Sequence, residues 1–251
     1  MKILLIFVGH YVNGYRPEED YPSPPRQLLN EQFVKNIKSI KENLLDINNI
    51  NTIEIATLYS EENELNKDSI LLIESLLEKK IKYKYSRNLK QLSKMTHFLN
   101  ELQERYDWYI KFRPDFELLE KIDNIKLNSL KKDSINARLR SYVGPELKLD
   151  YGSSVGGAWI RVHNKEIKYS NSLIESEYVL DDQIYLFHDN IRDKAFKPIL
   201  DETSKQHEYF HRNYWRDKVR FNPIGLNLRF YHPLGLMLSG HIDVKNTIDN
   251  L

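Results

Sequence analysis

The chain has 251 residues, enough for one large domain or two small ones with a full core. Lys and Arg (37) balance Asp and Glu (36), so no strong field favours nucleic acid or an anionic membrane; 41% hydrophobic and 29% charged residues describe an ordinary soluble globular protein. The absence of cysteine excludes a disulfide scaffold, a thiolate metal site and a thiol nucleophile, and suits a reducing, cytoplasmic setting.

The opening run Lys2–Val8 is apolar but far shorter than the ~20 residues needed to span a bilayer. No small-residue cleavage site follows it, so it predicts a buried strand and neither a transmembrane segment nor a secretory leader. It ends at Gly9-His10. The stretch "NGYRPEEDYPSPPRQ" carries four prolines and no periodicity, and predicts a long loop. Leu28, Leu29, Phe33, Val34, Ile37, Ile40, Leu44 and Leu45 recur at helical spacing, predicting a helix from about Arg26 to Leu45. Thr52–Tyr59 predicts a second strand; Ile70, Leu71, Ile73, Leu76 and Leu77 mark a second helix; "IKYKYS" alternates as a third strand. Asn88 is placed to cap a third helix carrying Leu89, Leu92, Phe98, Leu99 and Leu102. "WYIKF", Trp108–Phe112, predicts a fourth strand. Strands alternating with helices imply a mostly parallel, doubly wound sheet with helices on both faces and Lys2–Val8 in a central position.

After Glu120 the rhythm changes. "INARLRSYV" and "GAWIRVHN" predict strands, "GPELKLDYGSSVGG" a loop, and "DDQIYLFHDNI" a helix opened by Asp181-Asp182. The last fifty residues are irregular. No linker composition interrupts the chain, so residues 1–251 are expected to form one α/β domain with an irregular C-terminal half.

The chemistry concentrates at Arg113-Pro114-Asp115-Phe116-Glu117, where the fourth strand ends. Ligands of open α/β sheets bind at strand carboxyl ends, and Pro114 lacks an amide donor and stops the ladder there. If the backbone stays extended, Asp115 and Glu117 point the same way and share one divalent cation, Mg²⁺ or Mn²⁺ by the hardness of their oxygens. Such an ion would neutralise a diphosphate, with Arg113 adding a charge-assisted bond. The competing reading is a surface ion pair between Arg113 and Asp115 with Glu117 starting a helix.

The segment "YDWYIKFRPDFEL" resembles the Asp-bearing strand of glycosyltransferases with a GT-A (Rossmann-like) fold, in particular bacterial and viral lipopolysaccharide- or glycan-building enzymes with an R-x-D variant of the D-x-D motif. The first strand and "LDDQIYLF" fit the same order. The chain departs from D-x-D: Arg113 replaces the first acid, or the pair reads Asp115-x-Glu117. The resemblance implies a UDP- or GDP-sugar donor, a divalent ion and transfer to a glycan hydroxyl, with residues 1–120 as the nucleotide-sugar half and 121–251 as the acceptor half. It implies a nucleoside held near Phe7, Gly9, His10 and Tyr11. It implies a general base at Asp182 or Asp181, which otherwise read as a helix cap. It also implies a late histidine completing the metal shell, His211 or His232.

Gly156-Gly157 would let the backbone approach a sugar, with Trp159 either a stacking face or a core residue. His207 and His211 share helical spacing but lack an H-E-x-x-H pattern and a third ligand. Arg212, Arg216 and Arg220 fit one basic helical face; Arg16 fits a solvated loop. Two other classes compete: a noncatalytic nucleotide- or partner-binding α/β module, and a PD…ExK metal nuclease built on Pro114-Asp115 and Glu166-Ile167-Lys168. Against the nuclease stand the gap of about fifty residues and the near-zero net charge.

Overall fold

A computed structural model describes residues 1–9, 26–48, 52–59, 67–89, 91–141, 178–196, 219–224, 226, 228–232 and 235–239. The strands β1 (Lys2–Val8), β2 (Thr52–Tyr59), β3 (Tyr83–Ser86) and β4 (Trp108–Phe112) alternate with α1 (Arg26–Ile40), α2 (Lys67–Leu77) and α3 (Gln91–Glu101). Then come β5 (Phe116–Leu118), α4 (Asn124–Ser129), β6 (Ser134–Ser141), β7 (Tyr178–His188), α5 (Asp189–Phe196), β8 (Arg220–Pro223), β9 (Leu228–His232) and β10 (Gly235–Ser239).

The main sheet has seven strands in the order β3-β2-β1-β4-β7-β6-β8. Neighbours β3, β2, β1 and β4 pair in parallel. β7 runs antiparallel to both β4 and β6, and β8 is parallel to β6, so only β7 opposes the common direction. The expectation of a mostly parallel sheet flanked by helices holds, with β1 in its interior. The reason is visible in β1: Ile3 to Val8 are all 0% exposed. Ile3, Leu5 and Phe7 join a core with Phe33, Ile37 and Ile40 of α1 and Ile73 and Leu77 of α2. Leu4, Ile6 and Val8 join a second core with Leu92, Met95 and Phe98 of α3 and Ile191 and Phe196 of α5. A strand covered on both faces has no use for a polar alternate.

The expected helix from Arg26 to Leu45 is present, as α1 to Ile40 and then a π turn over Lys41–Leu45, where Asp46 N–H donates to Lys41 O. Two expectations are corrected. α3 opens at Gln91, so Asn88 is not at its N-cap position. The predicted helix at 181–191 is instead strand β7, and helix α5 begins only at Asp189. β7 lies between β4 and β6, so Ile184 and Leu186 enter one core while Tyr185 and Phe187 enter the other. Residues 184–187 are therefore all apolar, and periodicity does not separate such a run from a short buried helix.

Arg192 of α5 is buried and closes the carboxyl end of α3. Its guanidinium donates to Leu99 O, to Leu102 O at 2.9 Å, to Glu104 O at 3.4 Å and to the Tyr109 hydroxyl at 3.2 Å. Replacing it with methionine keeps the length but strands those helix-end carbonyls. Arg192→Met is expected to lower unfolding stability by about 3 kcal/mol or more, read from the urea midpoint at unchanged m-value.

Candidate functional site

Two charged regions compete for attention, at opposite ends of the parallel strands. At the amino ends, Lys2, Glu54, Lys82, Tyr83, Glu104 and Tyr106 form one network. Hydrogen bonds from Lys2 and then Lys82 hold the Glu104 carboxyl well below the usual range, and burial pushes the Tyr106 hydroxyl up. Perturbed titration often marks function. Here the partners are mutually satisfied at the edge where strands begin, and the network reads as a clasp joining β1, β2 and the segment before β4.

The carboxyl ends hold a different arrangement. β4 stops at Phe112, and Arg113 to Phe116 form a tight turn in which Phe116 N–H donates to Arg113 O at 3.2 Å. Pro114 occupies the second position of that turn, where its fixed φ fits and no amide donor is required. β5 then leaves the main sheet and pairs with β9, which pairs with β10 in a separate three-stranded sheet.

Arg113 and Asp115 face each other across the turn. Nε donates to Oδ1 at 3.0 Å and Nη2 to Oδ2 at 2.6 Å, a two-pronged fork. Their side chains are only 13% and 6% exposed, so this is not a surface ion pair. The guanidinium lies 5.2 Å from the centroid of the Phe116 ring, and Arg113 N–H donates to Gln183 O at 2.9 Å.

Gly9 meets this turn from the end of β1. Its φ is +141°, a region side chains rarely adopt, and a Cβ there would lie 3.1 Å from Arg113 Cγ and 3.6 Å from Gln91 Nε2. Glycine thus permits the close approach of β1 to Arg113. Gly9→Ala is expected to cost about 1–3 kcal/mol of stability and to displace the Arg113 side chain. A melting curve and the ligand affinity of the variant check it, since a purely local backbone effect leaves affinity unchanged.

A polar stripe on the first helix anchors the turn from below. Asn36 Nδ2 donates to Pro114 O at 3.2 Å; Ser39 Oγ accepts from Leu118 N–H at 2.8 Å; Asn43 Nδ2 donates to Leu118 O at 2.9 Å. Sequence reasoning missed these residues. The signal was present as polar side chains at i, i+3 and i+7 among Phe33, Ile37, Ile40 and Leu44. Gln91 was missed too, although the first turn of a helix that follows a parallel strand lies at the same end of the sheet.

The predicted site residues fare differently. Gly9, Arg113 and Asp115 come together. Phe7 is fully buried, edge-to-face with Phe112 at 6.5 Å, so its ring forms the floor beneath the site and offers no open face for stacking on a base. Glu117 starts no helix; it lies in β5, opposite Arg229 in register. Asp115 sits in the turn, so the extended spacing that would aim it alongside Glu117 does not apply. Both Asp115 oxygens are already engaged by Arg113. Among the described residues, no three acidic or histidine side chains gather as a metal site. The turn therefore does not set Asp115 and Glu117 side by side as the extended spacing predicts. Asp181 and Asp182 stand in β7, directly before Gln183, whose carbonyl accepts from Arg113. No helix starts at either of them, and their side chains lie outside what the structure describes. His10, Tyr11, Arg16, Gly157, Trp159, His207, His211, Arg212 and Arg216 lie outside the described residues.

No protein-family model matches the chain, and no curated protein matches it. Among solved structures it is similar to a Bacillus anthracis protein assigned as a glucose-1-phosphate thymidylyltransferase and solved with sucrose. The TM-score is 0.50 at 14% identity, over 100% of this chain and 95% of that one. What is shared is the fold. Two weaker overlaps are an apo UDP-glucose pyrophosphorylase (TM-score 0.49, 13% identity, 91% and 92% of the two chains) and the glycosyltransferase GlyE of Streptococcus pneumoniae (0.44, 13%, 88% and 44%). No helix among the described residues is long and apolar enough to cross a membrane.

Proposed function

We propose that the chain is a glycosyltransferase that moves a sugar from a nucleoside-diphosphate sugar, UDP- or GDP-linked, to a hydroxyl of a glycan. The observation that carries this reading is the meeting of Gly9 and Arg113 at the carboxyl ends of β1 and β4, where the glycine opens the backbone beside a fixed, nearly buried guanidinium. A diphosphate is the ligand that suits an aimed planar donor at a strand end. In the reaction, the acceptor hydroxyl gives its proton to Asp182 while its oxygen attacks the anomeric carbon. The bond from that carbon to the diphosphate oxygen breaks, and the charge released on the diphosphate develops toward Arg113. A single in-line displacement of this kind inverts the anomeric centre.

The fold also occurs in the protein assigned as a thymidylyltransferase, which supports nucleotidyl transfer as the second reading. The late acid pair that β7 carries beside the Arg113 turn favours sugar transfer, because a hydroxyl nucleophile needs a base and a sugar phosphate does not. One assay separates them. The chain is incubated with UDP- and GDP-sugars and a glycan mixture, and separately with nucleoside triphosphates and sugar 1-phosphates. Acceptor-dependent release of nucleoside diphosphate is expected. Pyrophosphate release in the second mixture alone would establish nucleotidyl transfer, and activity in neither would leave a noncatalytic binding module.

A further inference from the structure

We propose, resting on the donor-site reading above, that Arg113 is the resident cation of this site and that the diphosphate binds without a divalent ion. Asp115 presents both oxygens to Arg113, at 3.0 and 2.6 Å, so the pair of lone pairs that a chelated ion would take is filled and one outward lone pair is left on each oxygen. A divalent cation on that carboxylate would sit against a guanidinium, and like charges at such a separation in a nearly buried place repel strongly. Opening the fork would expose that repulsion and undo the bidentate bond together.

The remaining geometry explains what the fork is for. Arg113 is held at its backbone by Gln183 O, along its stem by the close pass of Gly9, and at its head by Asp115 and the Phe116 ring. A side chain that is ordered beforehand loses little rotamer freedom when an anion arrives. Asp115 therefore acts as a positioning residue. It orients a protein cation, as an outer carboxylate orients a metal-ligating histidine.

The two roles of Asp115 give different outcomes. As a metal ligand, its loss weakens diphosphate binding and removes its dependence on the ion. As the anchor of Arg113, its loss removes a negative charge beside the diphosphate and loosens the guanidinium, two effects of opposite sign that leave affinity close to wild type with or without the ion. The test is calorimetric titration of UDP and of GDP into the full chain, once in EDTA and once in Mn²⁺. For the wild type, Kd is expected to agree within about twofold between the two buffers. Asp115→Asn is expected to bind within about threefold of wild type in both. Arg113→Gln is expected to bind about tenfold more weakly or worse in both, with no rescue by Mn²⁺. Arg113→Lys keeps the charge without the fork, and is expected to fall between them; it also serves if the glutamine variant does not fold. Binding that requires Mn²⁺ and disappears in Asp115→Asn would overturn the inference while sparing the donor site. Binding of neither nucleotide in either buffer would overturn both.

Discussion

Asp115→Asn is expected to lower kcat for sugar transfer by about 10²–10³-fold, with KM for the donor and the melting temperature close to wild type. The asparagine is nearly the same shape and still accepts one hydrogen bond from Arg113, so the turn persists. The second prong of the fork is lost, and with it the fixed aim of the guanidinium. Aim matters most where charge develops, on the diphosphate oxygen as the sugar leaves, and a donor shifted by about 1 Å forfeits much of that stabilisation. A residue with only a structural role would move the melting temperature and scale activity with folded protein. The split between kcat and KM is therefore the informative measurement. Wild-type kcat in the variant would show that Asp115 does not orient the reacting charge.

Asp182→Ala is expected to reduce transfer by about 10²–10⁴-fold, the usual contribution of a general base, while donor binding by calorimetry stays near wild type. A hydroxyl acceptor is a weak nucleophile at neutral pH, and Asp115 is committed to Arg113. Asp182 precedes Gln183, whose carbonyl receives the Arg113 amide, so β7 carries this acid past the same turn. Asp181→Ala is the comparison. Since no helix opens at 181, it removes no cap and is expected to change the melting temperature little. Should Asp182→Ala unfold the protein with transfer per folded molecule unchanged, the acid supports the strand and the base lies elsewhere.

The four strands β1 to β4 were legible in the sequence because each is governed by local composition: β1 by an unbroken apolar run, β2 and β4 by β-branched and aromatic residues between polar boundaries. The turn at Arg113-Pro114-Asp115 was legible as a strand end for an equally local reason, since proline cannot extend the ladder. The alternation of strands and helices also predicts that β1 to β4 end on one edge of the sheet, because parallel strands share a direction.

Only the tertiary structure decided the rest. Whether Asp115 faces a cation or Arg113 depends on a backbone reversal of four residues, and spacing alone treats that segment as extended. Whether 178–188 is helix or strand depends on the gap between β4 and β6 that it fills, a contact with β4 and its end 70 to 80 residues away in the chain: Arg113 meets Gln183 at 70, Phe112 pairs with Ile184 at 72 and Trp108 with His188 at 80. The burial of Phe7 likewise follows from its pairing with Phe112, and the use of Asn36, Ser39 and Asn43 from the chain passing above them. Periodicity reports which faces a segment hides. It does not report which segment hides them, and that is set by long-range pairing.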